Sequence, residues 1–183
     1  MKNNAFKENI APALVLVIIC LVVTAALAGT YGVANPLIEK NAQKTADEAR
    51  VKVLPSGDSF TPYDGKLVSG VEECYMADNK SGMAVTATYK SFGGTLTAMV
   101  GVDKDGKVTG VTVTNHADTP GLGTKAMTDE YLEQYGGVDT AGQDNIKNDA
   151  NIDQIVGATI SSNAVYQCVS EALLQYKECG GVK

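Results

Sequence analysis

The run from Ile10 to Ala34 constrains this chain more than any other feature, because no charged residue stands between Glu8 and Glu39. At about 1.5 Å of rise per residue, a helix over that run covers the ~30 Å hydrocarbon core of a bilayer with some tilt. Ala26-Leu27-Ala28, following an apolar stretch with Lys2 and Lys7 ahead of it, has the form of a signal-peptidase site. The apolar character nevertheless continues to Val33 and Ala34, so the segment reads as a retained anchor. Lys2 and Lys7 precede the span and no Lys or Arg follows until Lys40. The positive-inside bias then predicts a single-pass protein of the cell membrane with a cytoplasmic N-terminus. The expected organisation is 1–9 in the cytoplasm, 10–34 as the transmembrane helix, 35–55 as a stalk helix and 56–183 as an extracytoplasmic domain.

The formal net charge of −6 argues against a nucleic-acid partner and leaves no polybasic patch for anionic lipid. A single histidine, His116, excludes a multi-histidine metal site, and the scattered acids match no calcium loop. Cys20 lies in the span, while Cys74, Cys168 and Cys179 show no CxxC spacing. A Cys74–Cys168 disulfide in an exported domain is one reading. The other, favoured by the position of Cys168 on an apolar helix face, is that it is a small core residue.

Asn35-Pro36 predicts a break between the span and a stalk helix from Leu37 to Val53, where Leu37, Ile38, Ala42, Ala46, Ala49 and Val53 recur at helical spacing. Pro55-Ser56-Gly57 ends it. Short strands are expected at Lys66-Leu67-Val68 and Cys74-Tyr75-Met76. Clearer ones lie over Met83 to Lys90, Thr95 to Asp103 and Lys107 to Asn115, rich in Val, Thr and Tyr, the second with Leu96, Ala98, Val100 and Val102 at every other position. Gly93-Gly94 and Asp103-Lys104-Asp105-Gly106 mark tight turns, the second suiting a hairpin with Gly106 at positive φ. Thr140 to Asn151 reads as a loop. From Val165 onward, Cys168, Val169, Ala172, Leu173 and Tyr176 recur at spacings of three and four, predicting a last helix ended by Gly180 and Gly181. Ser161 or Ser162 is its expected N-cap. The fold class is α+β, with one antiparallel sheet, flanking helices and an N-terminal membrane helix.

Two motifs carry candidate chemistry. In Asp153-Gln154-Ile155-Val156-Gly157-Ala158-Thr159-Ile160-Ser161-Ser162, Gly157 and Ala158 keep bulk away from the Thr159 hydroxyl, so another enzyme's active site can close over it. No His or Lys lies nearby in sequence to serve as its base, so activation has to come from outside. A phosphate on Thr159 would stand beside a helix N-terminus, where free N–H groups favour an anion. Read without that chemistry, Gly-Ala-Thr is a tight turn into a helix. In Asn115-His116-Ala117-Asp118-Thr119-Pro120-Gly121-Leu122-Gly123, Pro120 fixes φ, while Gly121 and Gly123 let backbone amides approach a flat ligand and Leu122 offers an apolar contact. Its plain reading is a Pro-Gly turn with His116 as a structural hydrogen-bonding residue.

Together the anchor, stalk, Phe92-Gly93-Gly94 strand pattern, His116–Gly123 loop and Thr159 motif resemble the G subunit of the Rnf complex, the membrane-bound ion-translocating ferredoxin:NAD oxidoreductase. The resemblance is more distant to the C subunit of the Na⁺-translocating NADH:quinone reductase. It covers nearly the whole chain. The resemblance implies an extracytoplasmic FMN-binding domain that carries electrons, its FMN attached covalently through the phosphate to Thr159 by a dedicated flavin transferase, with Asp153 matching the motif's leading aspartate. It implies Gly157, Ala158, Asp153 and Ser161 around the attachment point and His116, Thr119, Pro120, Gly121, Leu122 and Gly123 around the ring. Expected partners are the other membrane subunits, including one that bears a second FMN, and no complete turnover is expected from this subunit alone. Val156 stands where family members usually have Ser or Thr, and Ser161 where they often have Thr. The alternatives are the quinone-reductase subunit, a stand-alone extracellular FMN carrier, and a membrane-tethered scaffold without flavin, which would purify colourless.

Overall fold

The computed structural model describes residues 11–142 and 144–182. Lys2, Lys7 and the expected cytoplasmic segment 1–9 lie outside the described residues. One helix, α1, runs Ala11–Val53. Its apolar side chains, Leu16, Leu21, Leu27 and Val33 among them, stand exposed along the whole first part. By length and composition this helix is long and apolar enough to cross a membrane. Two of its threonine hydroxyls bond within the helix: Thr24 donates to the Cys20 carbonyl at 2.7 Å and Thr30 to the Ala26 carbonyl at 2.9 Å.

The expected break at Asn35-Pro36 is absent, since α1 passes through Pro36. A proline inside a helix deletes one hydrogen bond, here to the Gly32 carbonyl. The helix-favouring residues that follow, Leu37, Lys40 and Gln43, continue it. By internal contacts the chain falls into two units, one ending at Ala46 and the other beginning at Asp47.

The second unit is an antiparallel five-stranded meander. Its strands are β1 Phe60–Pro62, β2 Val71–Ala77, β3 Gly82–Lys90, β4 Thr95–Asp103 and β5 Val108–Asn115. A short helix, α2, covers Asp129–Leu132, and the last helix, α3, covers Thr159–Glu178. The expected alternation in β4 is realised on both faces. Leu96, Ala98, Val100 and Val102 enter the main core beneath α3, against Val165, Cys168, Val169 and Ala172. Met99 points the other way and packs with Ala84 under Val53, the last residue of α1. Gly101 permits that second layer, because a Cβ there would stand 2.1 Å from the Val53 carbonyl oxygen. Arg50 pins the same helix end: it pairs with Asp47 and lies 3.6 Å over the Tyr75 ring.

Three local expectations are corrected. Lys66-Leu67-Val68 is irregular, and the strand lies instead at Phe60–Pro62. The Gln175 side chain, fully buried on α3, takes the place of a strand partner by accepting from the Val68 N–H at 2.7 Å and donating to the Lys66 carbonyl at 3.1 Å. The stretch 140–151 contains a 3₁₀ turn, Ile146–Asn148, held where Asn163 accepts from the Ile146 N–H at 2.9 Å. Finally, α3 begins at Thr159 with Ala158 as its N-cap, so Ser161 and Ser162 are interior helix residues. Both turns marked by glycine form: the Ser91 N–H donates to the Gly94 carbonyl at 2.7 Å, and Gly106 has φ of 80°. Cys74 and Cys168 are core residues, and burial pushes each thiol up to about 12.

Candidate functional site

A cavity of about 230 Å³ lies between the loop after β5 and the start of α3. Thr119, Leu122 and Gly123 line one wall, and Gly157, Ala158, Thr159, Ile160 and Ser161 the other. The fold thus brings the two sequence motifs to one place. Phe92, in the β3–β4 turn, closes the rim, and Asp118 sits in the wall.

Each wall is held by identifiable contacts. The Ala158 N–H donates to the Ile155 carbonyl at 3.0 Å, closing a turn whose third residue is Gly157 at φ 85°, a conformation that favours glycine. Ser162, fully buried, accepts from the Ile155 N–H at 3.0 Å and so fastens that turn to α3. Upstream, Gln134 brackets the Asp153 backbone at both its N–H and its carbonyl, and the Tyr131 hydroxyl donates to the same carbonyl at 2.7 Å. Thr159 is left half-buried on the cavity wall as the first residue of α3. The nearest helical N–H bond is that of Ser162 to the Ala158 carbonyl at 2.9 Å. The N–H groups of the first turn before it have no acceptor within the helix and favour an anion.

Asp118 fastens the second wall. Its carboxylate accepts from the Ser91 hydroxyl, from the Gly93 N–H at 2.5 Å and from the Ser161 hydroxyl. Burial alone would raise this carboxyl, but the Ser91, Ser161 and Gly93 hydrogen bonds, with the nearby His116 charge, hold it below the ordinary carboxylate value. Gly123 fits the gap beside it: a Cβ there would come within 2.8 Å of both Asp118 Cβ and Ser161 Oγ.

His116, Pro120, Gly121 and Asp153 lie outside the cavity lining. The first is exposed and acts on Asp118 through charge, and the Asp153 side chain faces solvent while its backbone is clamped. Phe92, Asp118 and Ile160 belong to the lining, although the sequence alone assigns none of them to a site. The available signals are an aromatic residue inside a glycine turn and an acid embedded in the loop motif itself.

The FMN-binding domain family matches residues 91–174, a stretch that contains every lining residue of the cavity. The G subunit of a proton-translocating ferredoxin:NAD(+) oxidoreductase complex from Clostridium ljungdahlii is 33% identical over 175 residues, covering 92% of this chain and 91% of the relative. The chain belongs to the G-subunit family of Rnf-type ion-translocating oxidoreductases. Other Rnf relatives agree along similar lengths. The G subunit of the ion-translocating oxidoreductase complex of Methanosarcina acetivorans is 29% identical, over 91% of this chain and 94% of its own. Its counterpart in the Na(+)-translocating ferredoxin:NAD(+) oxidoreductase complex of Acetobacterium woodii is 30% identical, over 90% and 89%. This Rnf subunit is therefore an electron-transfer flavoprotein component of a redox complex, with an FMN-binding domain.

The cavity fits a flavin in its chemistry. Its wall is largely apolar, from Phe92, Leu122, Ala158 and Ile160, with hydroxyl-bearing side chains at Thr119, Thr159 and Ser161. At about 230 Å³ it is smaller than the ~300–1,000 Å³ of pockets that bury a drug-sized ligand by themselves. A group seated there keeps one side outward.

Proposed function

We propose that this chain carries FMN bound covalently through its phosphate to Thr159 and relays electrons on the outer side of the cell membrane within an Rnf-type complex. The observation that carries this reading is the cavity that sets Thr159 opposite the Thr119–Gly123 loop. The flavin, when bound, supplies the redox chemistry. With FMN bound, the first turn of α3 would hold the phosphate end, and Leu122 and Phe92 would offer apolar contacts to the ring. A shallow, outward-facing seat gives up a free ligand readily, and a covalent link keeps it there.

Thr159 is modified by a separate flavin transferase. Its oxygen attacks the FMN-side phosphorus of FAD, the O–P bond forms, the bond to AMP breaks, and the hydroxyl proton passes to the transferase. Among the described residues, the cavity wall offers no Lys, Arg or His as a base. Its carboxylate, Asp118, already accepts three hydrogen bonds and is a weak one. Ser161 and Ser162 are buried inside α3, whereas Thr159 is half-exposed at its start, which supports Thr159 as the acceptor.

The segment order is 1–9 in the cytoplasm, 10–34 across the membrane, 35–55 as stalk and 56–183 outside, an orientation supported by Lys2 and Lys7 ahead of the uncharged run. Electrons pass to and from neighbouring membrane subunits, including one with its own FMN. The test is Thr159→Ala, coexpressed with a flavin transferase and read as flavin fluorescence of the denatured band. The variant is expected to fold and to be dark. A band as bright as wild type overturns the attachment site.

A further inference from the structure

We infer that Asp118 is a fixed anion that lowers the redox potential of the flavin seated beside it, an assignment that rests on the proposed FMN site. Asp118 is 4% exposed yet forms part of the cavity wall. Three segments converge on it: the β3–β4 turn supplies Ser91 and Gly93, α3 supplies Ser161, and the loop after β5 carries the carboxylate itself. Ser91 and Ser161 are buried as deeply, at 5% and 2%. These donors are neutral, so they stabilise the negative charge without cancelling it. Among the described residues no Lys or Arg lines the cavity to offset it, and His116, which acts on it through charge, is exposed and outside the lining.

Away from solvent, a unit charge is screened far less than in water and acts on whatever occupies the cavity. Reduction adds negative charge to a flavin, and a neighbouring carboxylate disfavours it. Asp118 therefore works as a positioning and tuning residue: it knits both walls together and biases the equilibrium toward the oxidised cofactor. Charge near the ring is one of the means by which proteins set flavin electronics.

The experiment is a spectroelectrochemical titration of the flavin-loaded full chain in detergent at pH 8, comparing wild type, Asp118→Asn and Ser91→Ala. Asp118→Asn removes the charge and is expected to favour reduction at least tenfold, a rise in midpoint potential of about 30 mV for two electrons. Ser91→Ala keeps the charge but removes one neutral donor, so its potential is expected to fall. Opposite signs support the assignment, because simple loosening of the cavity would move both variants the same way. Shifts of the same sign, or none in either, overturn it. If Asp118→Asn fails to fold or to hold flavin, the sign of the Ser91→Ala shift decides alone: downward supports the assignment, and upward or absent overturns it. A wild-type chain without flavin overturns the FMN site itself, which the absorbance of the purified protein reports before any titration.

Discussion

Gly123 stands so close to Ser161 that a Cβ on it would come within 2.8 Å of the Ser161 hydroxyl oxygen. This approach, between the loop after β5 and the first turn of α3, joins the two halves of the site. Neither side can give easily, since Ser161 is bonded to Asp118 and the same Cβ would meet Asp118 Cβ at 2.8 Å. Gly123→Ala is expected to cost about 1–3 kcal/mol, the usual range for forcing a methyl group into a packed interior. Thermal denaturation of the full chain in detergent measures it. A variant that melts with wild type would mean the loop moves aside freely.

Leu122, 46% exposed on the cavity wall, tests whether the loop touches the ring. On the proposed attachment by a separate transferase, Leu122→Asp is expected to keep its covalent flavin and to lower the midpoint potential by placing charge beside the ring. Full flavin occupancy with a wild-type potential would remove the loop from the ring site.

Gln175 spends both ends of its amide on segments distant in sequence, and it also donates to Cys179 Sγ at 3.2 Å. Gln175→Leu leaves the Val68 N–H and the Lys66 carbonyl without that partner. The expected loss is about 1–3 kcal/mol. Equal denaturation midpoints for variant and wild type would show that water replaces the amide at no cost.

The acid limb of the stability curve reports on Asp118. Its carboxyl is held below the unfolded value of about 3.9, so its contribution is fully present above that pH and is lost as pH falls through the folded value. The stability gap between wild type and Asp118→Asn should be constant from about pH 5 to 7 and shrink below about pH 4. A gap that widens on acidification would contradict the hydrogen-bonded anion.

Topology can be read from native cysteines. Cys74 and Cys168 are buried thiols pushed up to about 12, whereas Cys179 is half-exposed at the end of α3. A membrane-impermeant maleimide on intact cells should label Cys179, and Cys179→Ser should abolish the signal. Labelling that appears only after the membrane is opened would reverse the orientation.

Strands β3 to β5 and the body of the last helix are legible in the sequence because their signals are local, whereas the three-residue β1 at Phe60–Pro62 carries no such signal. Alternation in Thr95–Asp103 and three-and-four spacing from Val165 onward follow from the backbone geometry of each element. The start of the last helix is not legible in the same way. Serine is a strong capping residue in general, whereas here Ser161 and Ser162 spend their hydroxyls on Asp118 and Ile155. Lys66–Val68 resembles a strand because its backbone does need partners, but they come from a side chain 107 residues away from Val68.

By itself the sequence determined the apolar run of the first helix, the strands β3 to β5, and the two motifs with the hydroxyl at Thr159, all of which depend on residues within a few positions of one another. Only the tertiary structure decided that those motifs share one cavity, that Phe92 closes its rim and that Asp118 is an anion with three donors. Those facts depend on how the β3–β4 turn, the loop after β5 and α3 meet in space. Hydrogen bonding and close packing between distant segments leave no periodic trace in the chain.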